Sequence, residues 1–124
     1  MTADEFLELT DDGLFHELVR GEVVTMSLAG GRHGKVALKI GRFVGNHVED
    51  WRLGEVFAAE TGFLIERDPD TVRGPDVAFV RAERLSLITH PDKHVPFAPD
   101  LAVEVLAPND RAEMVEEKVR EWLA

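Results

Sequence analysis

Apolar and polar positions alternate along this chain in two distinct rhythms, and the switches between them mark the elements. Thr2 and Glu5 form a T-x-x-E box ahead of Phe6, Leu7 and Leu9, which predicts a short capped first helix. Asp11, Asp12 and Gly13 end it. The runs 14-LFHELV-19 and 22-EVVTM-26 are β-rich and joined by Arg20-Gly21, the pattern of a two-residue hairpin. From about His33 to Asp50 the apolar positions Val36, Ile40, Phe43, Val44 and His47 or Val48 follow a helical period. Gly41 and Gly45 interrupt that helix at roughly 1 kcal/mol each relative to Ala, which suits close packing against a sheet. Residues 55–66 and 75–80 read as strands around a turn at 68-DPDTVRG-74, 81–88 as a short helix, and 89–99 as a loop. A Pro-bracketed apolar run, 99-PDLAVEVLAP-108, reads as a strand. Asn109 or Asp110 can cap a last helix over 111–124. The order predicts an α/β (α+β) fold with a central mixed sheet flanked by helices.

Two of these strands carry a single acid each. Asp76 opens 75-PDVAFV-80, and Glu104 interrupts Leu101, Val103 and Val105. Strand alternation puts Asp76, Ala78 and Val80 on one face and Asp100, Ala102, Glu104 and Leu106 on another. Were the strands neighbours, the carboxylates would converge, with Ala78 and Ala102 leaving room between them. Two close carboxylates repel unless a cation or a shared proton lies between them. Mg²⁺ held by one or two carboxylates and waters meets that need, and Mn²⁺ takes the same oxygen ligands. An ion pair with an arginine is the plainer alternative for Glu104.

The last helix adds a cation. Met114, Val115, Val119 and Trp122 form its apolar stripe, with Lys118 on the same face and Glu113, Glu116, Glu117, Arg120 and Glu121 left for solvent. Such a lysine either snorkels to water or meets a buried acid. Two acids, a divalent metal and a lysine together suit phosphodiester hydrolysis.

Composition narrows the field. The 124 residues are the size of one domain, with 44% hydrophobic and 31% charged residues, as in a globular protein. No apolar run approaches the roughly 18–20 residues of a membrane span, and the N-terminus shows no signal-peptide pattern, so a cytoplasmic protein is the expectation. With no cysteine, thiolate metal sites and a Cys nucleophile are excluded. The five histidines are not expected to form a zinc site, "GGRHGK" lacks the frame of a phosphate loop, and Ser27 and Ser86 lack an acid–base setting. The net charge of −10 opposes a tight, non-specific DNA binder. Yet residues 32–42, RHGKVALKIGR, hold five Lys or Arg and no acid. Arg32, His33, Lys35 and Lys39 are therefore candidates for phosphate contact, although a solvated helix face has the same look.

The chain resembles the Uma family of restriction endonucleases, a branch of the PD-(D/E)XK nuclease superfamily. The resemblance runs through "MTADEFLEL", "HELVRGEVVTMS", "RHGKVALKI", "GPDVAFV", "APDLAVEVLAPND" and "EEKVREWLA". Its specific part is G-P-D-V-x-F-V paired with P-D-L-x-V-E-V-L-x-P, their acids 28 residues apart (104 − 76). It implies a restriction-endonuclease-like core, one nuclease-like domain over residues 1–124, DNA as substrate and Mg²⁺ or Mn²⁺ as cofactor. Asp76 and Glu104 would be metal ligands and catalytic acids, Lys118 the catalytic lysine, and Glu17 an auxiliary acid. His33 matches a histidine common after the hairpin. The usual E-x-K would put lysine where Leu106 stands, so the resemblance moves it to Lys118 on the next helix. It also implies a strand-rich part beyond "EWLA". A second reading keeps the fold and makes the protein a binding or assembly module, as a homodimer, with an impaired metal site. Hydrolysis of another phosphodiester is a third.

Overall fold

A computed structural model describes residues 1–9 and 15–124; the expected break at Asp11–Gly13 and the first residue of the run beginning at Leu14 lie outside them. Helix α1 (Ala3–Leu7) starts on the expected capping box, with the Thr2 hydroxyl accepting from Glu5 N and Glu5 Oε1 accepting from Thr2 N. Strands β1 (Phe15–Val19) and β2 (Glu22–Met26) form the hairpin. Arg20 and Gly21 turn it with φ of 47° and 81°, the left-handed pair that a two-residue hairpin demands. At Gly21 a Cβ would also sit 3.3 Å from the Met1 amino group. Helix α2 spans Gly31–Asp50, two residues longer at its start than expected.

Then come β3 (Gly54–Ala58), β4 (Phe63–Glu66), β5 (Thr71–Arg73), β6 (Val77–Arg81), a 3-10 helix (Ala82–Leu87), β7 (Leu101–Val103) and α3 (Ala112–Leu123). In place of one mixed sheet, the strands divide between two, ordered β2-β1-β5-β4 and β3-β6-β7, with antiparallel pairing in both. The parallel contact among the described residues is an isolated bridge between Phe63 and Val95. Strand β5 corrects the expectation of a turn over 68–74: Thr71, Val72 and Arg73 are all buried inside the four-stranded sheet. The last helix is capped at Arg111 and not at Asn109 or Asp110; Asp110 instead accepts from Ala107 N at 2.7 Å.

Two apolar clusters hold the layers. Ala3, Leu18, Leu64 and Val72 pack α1 on the first sheet, with Phe6 against them. Phe63, Ala78, Val80 and Val95 form the second, flanked by Phe57 and Trp122. Phe63 meets those two rings edge-on, at 5.8 and 6.4 Å between centroids. Gly41 of α2 faces Val77 at ordinary contact distance, whereas a Cβ at Gly45 would meet nothing within 4 Å, so only the first lies against the sheet. At Gly54 the approach is real: a Cβ there would lie 2.0 Å from the Val80 carbonyl. Among the described residues no helix is long and apolar enough to cross a membrane.

Candidate active site

The pairing of β6 with β7 sets the geometry. Val77 faces Val103, Ala78 faces Ala102, and Phe79 faces Leu101. Continued outward by one residue, that register places Asp76 opposite Glu104. Asp76 N donates to Val103 O at 2.9 Å, and Asp76 Oδ2 accepts from Val105 N at 2.6 Å. The carboxylate thus locks the chain just past β7, where Glu104 stands. His33, near the start of α2, brings Nε2 to 3.4 Å from the same oxygen.

Helix α3 closes the site from the other side. Trp122 Nε1 donates to Glu104 Oε1 at 3.3 Å. Lys118 Nζ lies 3.9 Å from Glu104 Oε2 and 3.7 Å from Glu17 Oε1. Glu17, on β1, is buried, with Oε2 accepting from Gly74 N at 2.9 Å and Oε1 from Arg73 Nη1 at 3.1 Å. Arg73 reaches on to α3, its Nε 2.7 Å from Glu121 Oε2. Glu121 Oε1 is buried and accepts no hydrogen bond, with Arg20 Nη1 at 3.6 Å; Arg20 also pairs with Glu117 at 2.8 Å. Burial works against a charge on Arg73, but hydrogen bonds and proximity to Glu121 and Glu17 prevail and raise its pKa.

Burial also acts on Glu104. It pushes the carboxyl up to about 7 from an ordinary 4.5, helped by Asp76 and Glu17 and opposed by Lys118 and the Trp122 hydrogen bond. Such a group resists carrying its charge until a cation shares the space. Asp76 Oδ1 and Glu104 Oε2 accept no hydrogen bond from the described residues, so each acid keeps one oxygen for a ligand. No group of three or more His, Asp or Glu side chains is arranged for a metal among those residues. Asp76 and Glu104 are oxygen donors, and Mg²⁺ bound through one or two carboxylates completes its shell with waters and substrate. The donor set fits a hard divalent cation.

Asp76, Glu104, Lys118, Glu17 and His33 all line one cavity of about 470 Å³. Arg32, Lys35 and Lys39 do not; they stand exposed on the first turns of α2. The face that α3 turns inward differs from the expected stripe. Met114 and Val119 are exposed at 58% and 48%, while Glu121, expected in solvent, is 7% exposed. Lys118, Glu121 and Trp122 share that inward face at i, i+3 and i+4 spacing, a signal present in the sequence but hidden by giving every acid to water. Arg73 was missed because it lay in the expected turn.

A family model described as Uma2, "Putative restriction endonuclease", matches residues 3–124. The chain belongs to the Uma2 family. Among curated proteins none matches it. Among solved structures this Uma2 chain is similar to a crystal structure described as "a putative nuclease belonging to DUF820" from Anabaena variabilis ATCC 29413. The two superpose with a TM-score of 0.78 at 21% identity, over 99% of this chain and 68% of the other. That likeness speaks to the fold alone, and the α/β (α+β) class expected from the sequence is what the Uma2 chain adopts.

Proposed function

We propose that this Uma2 protein is a metal-dependent endonuclease that hydrolyses DNA phosphodiester bonds. The observation carrying the reading is that Asp76, Glu104 and Lys118 line one cavity, with Lys118 Nζ 3.9 Å from Glu104 Oε2. Asp76 and Glu104 would hold Mg²⁺ or Mn²⁺, which when bound neutralises phosphate charge and makes a water more acidic. The other parts belong to the chain. Val105 N and His33 fix Asp76, and Trp122 fixes Glu104. Lys118 supplies a positive charge for the phosphate oxygens or orients the attacking water. Glu17, with both oxygens engaged, serves by steering Lys118. Exposed Arg32, Lys35 and Lys39 meet neighbouring phosphates.

Supercoiled plasmid incubated with Mn²⁺, Mg²⁺ or EDTA tests this, with wild type beside Glu104→Ala. Nicking in Mn²⁺ or Mg²⁺, absent in EDTA and lost in the variant, is the expected result. A folded wild type that cuts neither the plasmid nor single-stranded DNA under either metal would overturn the reading and favour a binding module.

A further inference from the structure

The cavity holding the acids is also lined by apolar and aromatic side chains: Phe6 on α1, Phe15 at the start of β1, Met26 at the end of β2, Leu28 beyond it, and His94. Phe6 and His94 lie ring to ring at 5.6 Å, tilted by 33°. Burial lowers the pKa of His94 below its ordinary 6.5, so this wall is uncharged at neutral pH. Leu28 is 77% exposed despite its apolar side chain. The lining thus brings groups suited to a phosphate with its cation and side chains suited to a flat apolar group into one space.

We propose that the cavity is a one-nucleotide site for single-stranded DNA: the phosphate lies against Asp76, Glu104 and Lys118, and its unpaired base among Phe6, Phe15 and Leu28. This rests on the phosphodiesterase reading above and names its substrate class. Three observations favour a single strand over a duplex. An unpaired base can share one cavity of about 470 Å³ with its phosphate, whereas a paired base stays stacked inside the duplex. The acids are recessed, with 18% and 22% of the Asp76 and Glu104 side chains exposed, so a phosphate must enter the cavity to reach them. Duplex binding leans on many phosphate contacts, which a net charge of −10 disfavours. Stacking on aromatic side chains binds single strands without that footprint.

The test uses an oligonucleotide carrying 2-aminopurine, single-stranded or annealed to its complement, titrated with the protein in Ca²⁺. Ca²⁺ occupies oxygen-ligand sites, so binding is read apart from turnover. The single strand is expected to bind at least about tenfold more tightly than the duplex, with a change in 2-aminopurine emission. Phe15→Ala and Leu28→Glu should each weaken single-strand binding by about fivefold or more. Leu28→Glu, at an exposed position, should leave the melting temperature unchanged, which separates lost binding from lost fold. A duplex bound as tightly as the single strand overturns the site, as does single-strand binding that neither variant weakens. Cleavage of the same oligonucleotides in Mn²⁺ is scored separately. Selective single-strand binding with no cleavage would overturn the hydrolase reading and leave the nucleotide site standing.

Discussion

Replacing Glu104 by Gln should make the metal-free protein more stable, by a margin that grows with pH. Glu104 has a folded pKa of about 7 against an ordinary 4.5. Between those values the folded chain binds a proton that the unfolded chain releases. The stability that Glu104 contributes is therefore fully present below pH 4.5, declines as pH rises, and is gone above about 7. The whole interval corresponds to roughly 3 kcal/mol. Gln carries no charge at any pH and keeps an oxygen for Trp122 Nε1, so it imitates the protonated acid. Melting followed by circular dichroism in EDTA should find the two proteins alike below pH 4.5. At pH 8 the variant should melt higher by roughly 10 °C. Adding Mn²⁺ at pH 8 should then raise the wild type and leave the variant where it was, because only the carboxylate rewards the cation. A margin that stays constant with pH, or a wild type more stable than the variant at pH 8 in EDTA, would refute the account of Glu104 as a reluctant charge.

The same titration predicts that Mn²⁺ binding, followed by isothermal calorimetry, weakens by about tenfold for each pH unit below 7, where the cation must displace a proton from Glu104. Arg73→Gln should cost about 3–5 kcal/mol in urea denaturation, since it leaves Glu17 and Glu121 buried without their shared cation; Arg73→Lys, which keeps the charge but not the fork, should recover part of that loss. Gly45→Ala should stabilise the protein by about 0.5–1 kcal/mol in the same assay, because the helix gains a better former and the new methyl meets nothing within 4 Å.

What could be read from the sequence was whatever local periodicity encodes. Alternation along 75–80 and 99–108 placed Ala78 and Ala102 beside the two acids, and the β6–β7 register pairs those very alanines. The capping box at Thr2 and the Arg20-Gly21 turn are likewise local signals, and both stand in the structure. Strand β5 was hidden because three residues are too few to show a period, and the Asp-Pro-Asp and Gly-Pro around them look like a turn. Its loss concealed Arg73 too. The inward face of α3 was misread for a different reason. Met114 and Val119 are more apolar than Lys118 and Glu121, but Arg73, 48 residues before Glu121, rewards the charged face. A partner that distant leaves no mark on the helix's own pattern.

Helix α3 is fastened by polar contacts, through Glu121 to Arg73 and Glu117 to Arg20, as well as by Trp122. Of the described elements that build the site, it is also the one synthesised after the others. Both acids and the strands that align them are synthesised before Lys118 and Trp122 exist. A nascent chain thus holds every strand of both sheets while the cavity still lacks the wall that carries Lys118 and Trp122. On the proposed reading as a DNA-cutting enzyme, this order of synthesis would work as a safety catch: the blade is forged early, and the twelve-residue helix α3 arms it.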